Sequence, residues 1–173
     1  MTTVFYISAA VAVAATLMVV TRLNVVHALL YLVVSLLSVA MVFFSLGAPF
    51  VAALEVIIYA GAIMVLFVFV IMMLNLGPQA VSQESQWLKP RTFALPAVMA
   101  IILLGELIYA MALGAASQAP PGGVQVVGPK EVGLSLFGTY LLGVELASIL
   151  LLAGLVGAYH LGRKEPNGAG GPS

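Results

Sequence analysis

Three glutamates, Glu55, Glu106 and Glu145, stand in stretches of chain that otherwise hold almost only apolar side chains. An acidic side chain at the centre of a bilayer costs of the order of 3 kcal/mol on insertion scales, so such a residue normally faces protein or water. Loss of hydration disfavours the ionised carboxyl, so these acids are expected to be at least partly protonated, the property that a proton relay requires. The competing reading is a neutral acid that hydrogen-bonds a neighbouring helix as structural glue, and both readings stay open for each of the three. Tyr59 stands four residues after Glu55, so the two line up on one helix face. Its hydroxyl can both donate and accept, and so can gate or extend a chain of waters; a purely structural tyrosine is the alternative. Glu145 sits near the middle of the last apolar stretch, among Gly143, Ala147 and Ser148. Glu106 follows Gly105 and precedes Tyr109 by about one turn, so a local carboxyl–phenol hydrogen bond competes with a functional role. His27 and His160, far apart in sequence, read as interfacial or packing residues, and the eight methionines as filler of the lipid phase.

The elements that must position these groups are set by composition. Of 173 residues, 63% are hydrophobic and 7% charged, with a mean hydropathy of +1.20. A soluble domain carries about a quarter charged residues, and no water-soluble core of this size could hide so much apolar surface. Five membrane-spanning helices are expected, at about 4–20, 23–46, 50–76, 93–116 and 134–161, in one domain over 1–162 with a flexible tail over 163–173. The third carries the argument. Phe50 to Leu74 is 25 residues, or ~37 Å of helix at 1.5 Å per residue, enough to cross ~30 Å of hydrocarbon with some tilt. At its centre Ala60, Gly61 and Ala62 follow one another at ~100° steps and thin the helix over more than half its circumference. Ile57 and Val65, four residues either side of Gly61, rule out a small-xxx-small pairing stripe there. In the first span Ala10 and Ala14, with Ser8 and Ala12, are small residues suited to tight packing. No Lys or Arg precedes that span, which argues against a cleaved signal. Gly47-Ala48-Pro49 reads as the turn into the third span, and Trp87 and the Pro120–Gly123 stretch as loop.

Charge bounds the rest. Six basic and six acidic residues give no net charge and no case for nucleic acid; no Cys is present, which excludes disulfides and a thiolate-held iron–sulfur cluster. With five spans, Arg22, Lys89, Arg91, Arg163 and Lys164 fall on one side and Lys130 on the other. The positive-inside rule then predicts a periplasmic N-terminus and a cytoplasmic C-terminus.

The segment Tyr59-Ala60-Gly61-Ala62-Ile63-Met64-Val65-Leu66-Phe67-Val68-Phe69-Val70-Ile71-Met72-Met73-Leu74-Asn75-Leu76 resembles the signature span of the J subunit of bacterial proton-pumping NADH:quinone oxidoreductase, respiratory complex I. Further similar segments are His27-Ala28-Leu29-Leu30-Tyr31, Phe43-Phe44-Ser45-Leu46-Gly47-Ala48, Gln86-Trp87-Leu88-Lys89-Pro90 and Val144-Glu145-Leu146-Ala147-Ser148, running on through Leu150 to Val156. The resemblance implies an all-α, five-span, multi-pass subunit of the bacterial inner membrane that holds no cofactor itself. FMN, iron–sulfur clusters and quinone are then expected in partner subunits, and the partners are other small membrane subunits, the quinone-site subunit and antiporter-like subunits. It also implies a π-bulge in the third helix around Tyr59, Ala60 and Gly61, which switches register to make or break a water wire. On that reading Tyr59, Ala60, Gly61 and Ala62 form a gate, and Glu55, Glu145 and Glu106 shape the proton or charge path. A membrane subunit of a related cation/proton antiporter or hydrogenase-type complex, and a purely architectural spacer, are the other classes.

Overall fold

The computed structural model describes residues 2–74, 90–116 and 126–163. Trp87 and its loop, the Pro120–Gly123 stretch and the tail from Lys164 lie outside the described residues. Thr2–Thr21 (α1) and Val25–Ser45 (α2) are both apolar enough to cross a membrane. Asn24 starts the second by accepting from the amides of Val26 and His27, two donors that the first turn of a helix leaves without a partner.

Helix α2 ends in a Schellman turn. Ala48 N–H donates to Phe43 O at 3.0 Å and Gly47 N–H to Phe44 O at 3.1 Å, with Gly47 at φ 83°, where only glycine is free of a Cβ penalty. Pro49 then opens the third span at a position whose amide needs no partner. That span is three pieces in continuous register: Pro49–Leu54 (α3), a nine-residue π-helical segment Glu55–Ile63, and Met64–Leu74 (α4). Pro90–Ala116 (α5) contains the fourth span, Phe93–Ala112.

Helix α2 is the hub of this first compact unit, which runs to Gly128, and it touches α1, α3, the π segment, α4 and α5. All its buried residues but Ala40, namely Tyr31, Val34, Ser35, Ser38, Met41 and Ser45, recur at three- and four-residue spacing, as one face of a helix must. On α1 the buried positions are Val4, Ser8 and Ala15. Ala10 and Ala14 lie off the face that meets α2 and α5, which Val4, Ser8 and Ala15 set. Hydroxyls stitch the α1–α2 seam: Thr16 Oγ1 and Ser35 Oγ lie 2.8 Å apart. At one end of the bundle the Arg22 guanidinium stands 5.5 Å over the Tyr31 ring, and His27 meets Phe93 edge-on at 5.9 Å, a packing role.

The second unit starts at Pro129. The stretch 134–161, expected as one span, is divided: Pro129–Leu136 (α6) is followed by a turn and then by the spanning helix Leu141–Gly162 (α7). The break is at Gly138, where a Cβ would stand 2.6 Å from Leu134 O, a distance that a regular side chain could not tolerate. Among the described residues the fold is all-helical, with five helices long and apolar enough to cross a membrane.

Candidate functional site: the π segment and the membrane carboxyls

The chain of small residues predicted to loosen the third span lies within the π segment, Glu55–Ile63. Met64 N–H donates to Tyr59 O, five residues back, as well as to Gly61 O. The extra residue per turn that this pattern holds widens the helix locally, and such segments recur at functional sites. Gly61 is the middle residue of the span Pro49–Met73. A Cβ on it would lie 3.2 Å from Val56 O, the carbonyl five residues earlier. A side chain at 61 would require Val56 O to give by a few tenths of an ångström. Tyr59, 48% exposed, and Ala62 point outward from this unit, while Ala60 and Gly61 are half-buried.

Beside the π segment, α2 and α5 leave an apolar cavity of about 570 Å³, lined by Val56 of the π segment, Leu37 and Met41 of α2, and Leu103 and Leu107 of α5.

The three acids have three environments. Glu55, half-buried, lies six residues before the midpoint of its span, ~9 Å from it at 1.5 Å per residue. Glu106 is buried, 8% exposed, ~5 Å from the midpoint of Phe93–Ala112. Ser8 Oγ donates to its Oε2 at 2.6 Å. Tyr109, the local partner that the sequence left as one alternative, is 55% exposed, and the carboxyl bonds across to α1. Ser8 is thus a functional candidate that sequence reasoning treated only as a small packing residue. Glu145 is exposed and stands near the start of α7, ~10 Å from the midpoint of Leu141–Gly162 rather than near the middle of a longer span, because the turn after α6 shortens that span. Ser148 Oγ donates to the Glu145 backbone carbonyl at 2.7 Å. Through Ser8 the structure joins Glu106 to α1, while Glu55 shares the π segment with Tyr59.

Fold and site define a multi-pass membrane chain whose third span is built around a π segment. Among the described residues no group of three His, Cys, Asp or Glu side chains is placed to hold a metal ion. Residues 15–161 match the family described as NADH-ubiquinone/plastoquinone oxidoreductase chain 6, and the chain belongs to that family. It is 59% identical over 164 residues to NADH-quinone oxidoreductase subunit J of Pseudomonas aeruginosa, which covers 93% of this chain and 96% of the relative. Against the subunit J of Escherichia coli K12 it is 57% identical over 164 residues, with 95% and 88% covered. Subunit J of Buchnera aphidicola from Schizaphis graminum is 48% identical over 162 residues, with 94% and 98% covered.

Proposed function

We propose that this chain is a membrane-arm subunit of a proton-translocating NADH:quinone oxidoreductase in the bacterial inner membrane, and that it couples quinone reduction to proton pumping without redox chemistry of its own. Near-full-length identity to relatives named as subunit J supports the assignment to the complex. The observation that carries the coupling role is the nine-residue π segment at the centre of a bilayer-crossing helix.

The mechanism follows from the register. In the π form Met64 N–H reaches Tyr59 O; in an α register the same amide would reach the carbonyl four residues back, that of Ala60. The change turns one part of the span against the other by about one residue, ~100°, and so re-aims Tyr59. Its hydroxyl then makes or breaks a hydrogen-bonded link to water or to a neighbouring subunit. Tyr59, Ala60, Gly61 and Ala62 form this gate, and Glu55, Glu145 and Glu106 are the acids of the proton or charge path. The cavity beside Val56 gives the moving side chains room. The N-terminus faces the periplasm and the C-terminus the cytoplasm. The electron carriers, FMN and iron–sulfur clusters, and the quinone site belong to partner subunits. The chain packs among the small membrane subunits between the quinone-site subunit and the antiporter-like subunits.

The test is the complex purified through this chain, reconstituted in vesicles. NADH-dependent quinone reduction accompanied by proton uptake or release is expected. Cation/proton exchange without NADH oxidation would replace this reading with an antiporter-type complex.

A further inference from the structure

Hydroxyls on α1 and α2 mostly bond back to their own helix: Thr16 to Ala12 O, Thr21 to Leu17 O and Ser38 to Val34 O. Ser8 instead gives its hydrogen to a carboxyl 98 residues away, at 2.6 Å, with Ser8 fully buried and Glu106 nearly so. Each lies ~5 Å from the midpoint of its own span, well inside the hydrocarbon. The second carboxyl oxygen, Glu106 Oε1, is buried and has no hydrogen-bond partner. No polar side chain occurs from Ala9 to Ala15 on α1 or from Phe93 to Gly105 on α5; the nearest one along α5 is Tyr109. One oxygen is therefore fixed and satisfied, and the other is a buried acceptor without a hydrogen-bond partner; the buried hydroxyl of Ser38 on α2 goes to Val34 O.

We propose that Ser8 and Glu106 form a proton-binding couple, in which Ser8 is a positioning residue and Glu106 Oε1 is the oxygen that takes the proton. It rests on the reading that membrane acids of this chain handle protons, and it adds both the residue that aims one of them and the atom that is loaded. On uptake from water an O–H bond forms at Oε1 with a lone pair of that oxygen, and the carboxyl goes from a charge of −1 to 0. Ser8 continues to donate to Oε2, and release to water reverses the step. Neutralisation removes the penalty of an anion held away from water. The hydroxyl of Ser8 fixes which oxygen stays free.

The test is infrared difference spectroscopy of the assembled complex in membranes, wild type minus variant, in water and in heavy water. Glu106→Gln is expected to remove one carboxylic C=O band that shifts in heavy water. Ser8→Ala should keep that band and move it to higher frequency, since one hydrogen bond to the carboxyl is lost, and Ser8→Thr should return it. Should Ser8→Ala not assemble, Ser8→Cys, which keeps a weaker donor, is expected to place the band between the two. A Glu106→Gln spectrum identical to wild type, or a band that none of the Ser8 variants moves, overturns the proposal. The band is read without turnover. Its loss in Glu106→Gln with pumping unchanged would uphold the proton-binding couple and remove Glu106 from the transfer path.

Discussion

Replacing Gly61 by alanine puts a methyl group 3.2 Å from the carbonyl oxygen of Val56. Ordinary contact between such atoms begins near 3.4 Å, so backbone on one side must give by a few tenths of an ångström. The contact is specific to the wide turn, because it joins residues five apart, the spacing that π hydrogen bonds close. Overpacking of this kind costs ~1–3 kcal/mol. Alanine, whose Cβ its neighbours Ala60 and Ala62 also carry in this segment, costs no more than ~1 kcal/mol, and valine, with two further methyls, lies toward the upper end. Every 1.4 kcal/mol is a factor of ten in an equilibrium constant, so the π population relative to α falls by no more than ~5-fold for Gly61→Ala and by up to ~100-fold for Gly61→Val. The assay is the proton-to-electron ratio and NADH:quinone turnover in membrane vesicles, with assembled complex quantified alongside. A graded loss of pumping, valine worse than alanine, with the complex still assembled is the expected result. Assembled Gly61→Val complex with normal stoichiometry and normal turnover would refute both the gate and the reasoning that a Cβ opposes the π register.

Tyr59→Phe keeps the ring and removes the hydroxyl; pumping in vesicles is expected to weaken while the amount of assembled complex stays within ~20% of wild type, since deletion of an exposed hydroxyl changes stability by no more than ~0.5 kcal/mol. Gly138→Ala should act on folding instead. Its Cβ would meet Leu134 O at 2.6 Å, a clash worth ~1–3 kcal/mol or more, so the yield of assembled complex should drop while turnover per assembled complex is unchanged.

The helices were legible because bilayer thickness and an apolar run of the right length leave little choice. Phe50 to Leu74 could hardly be anything but a span, and Gly47-Ala48-Pro49 announced a turn through residue chemistry, though not its Schellman form. The deformable centre of the third span was legible in outline: three consecutive small residues suggested tolerance of an irregular turn, and the resemblance to a known family placed a π-bulge around Tyr59. The extent of that turn, nine residues from Glu55 to Ile63, was not, since π and α pairing draw on the same side-chain pattern and differ only in which carbonyl each amide reaches. The break at Gly138 was missed for a different reason. Leu134 to Leu161 is apolar throughout save Glu145 and a few small polar or aromatic groups, and hydropathy cannot see a backbone turn inside an apolar stretch.

The pairing of Glu106 becomes legible by an argument from depth once the structure sets the limits of the spans. A buried carboxyl must meet a donor at its own level in the membrane, because helices that cross nearly upright bring together residues equidistant from the midplane. Glu106 lies 3.5 residues past the midpoint of Phe93–Ala112, and Ser8 lies 3.5 residues before the midpoint of Thr2–Thr21, so for antiparallel spans the two stand at one height. Tyr109, a turn further along the same helix, offers a donor only if its side chain folds back, and in the structure it faces outward. Matching heights admits Ser8, and also Ser38, which lies three residues past the midpoint of Val25–Ser45 but gives its hydroxyl to Val34 O, whereas proximity in sequence selects Tyr109. Of the two hydroxyls at that level, the 2.6 Å contact falls to Ser8, the one whose own helix does not already take its hydrogen.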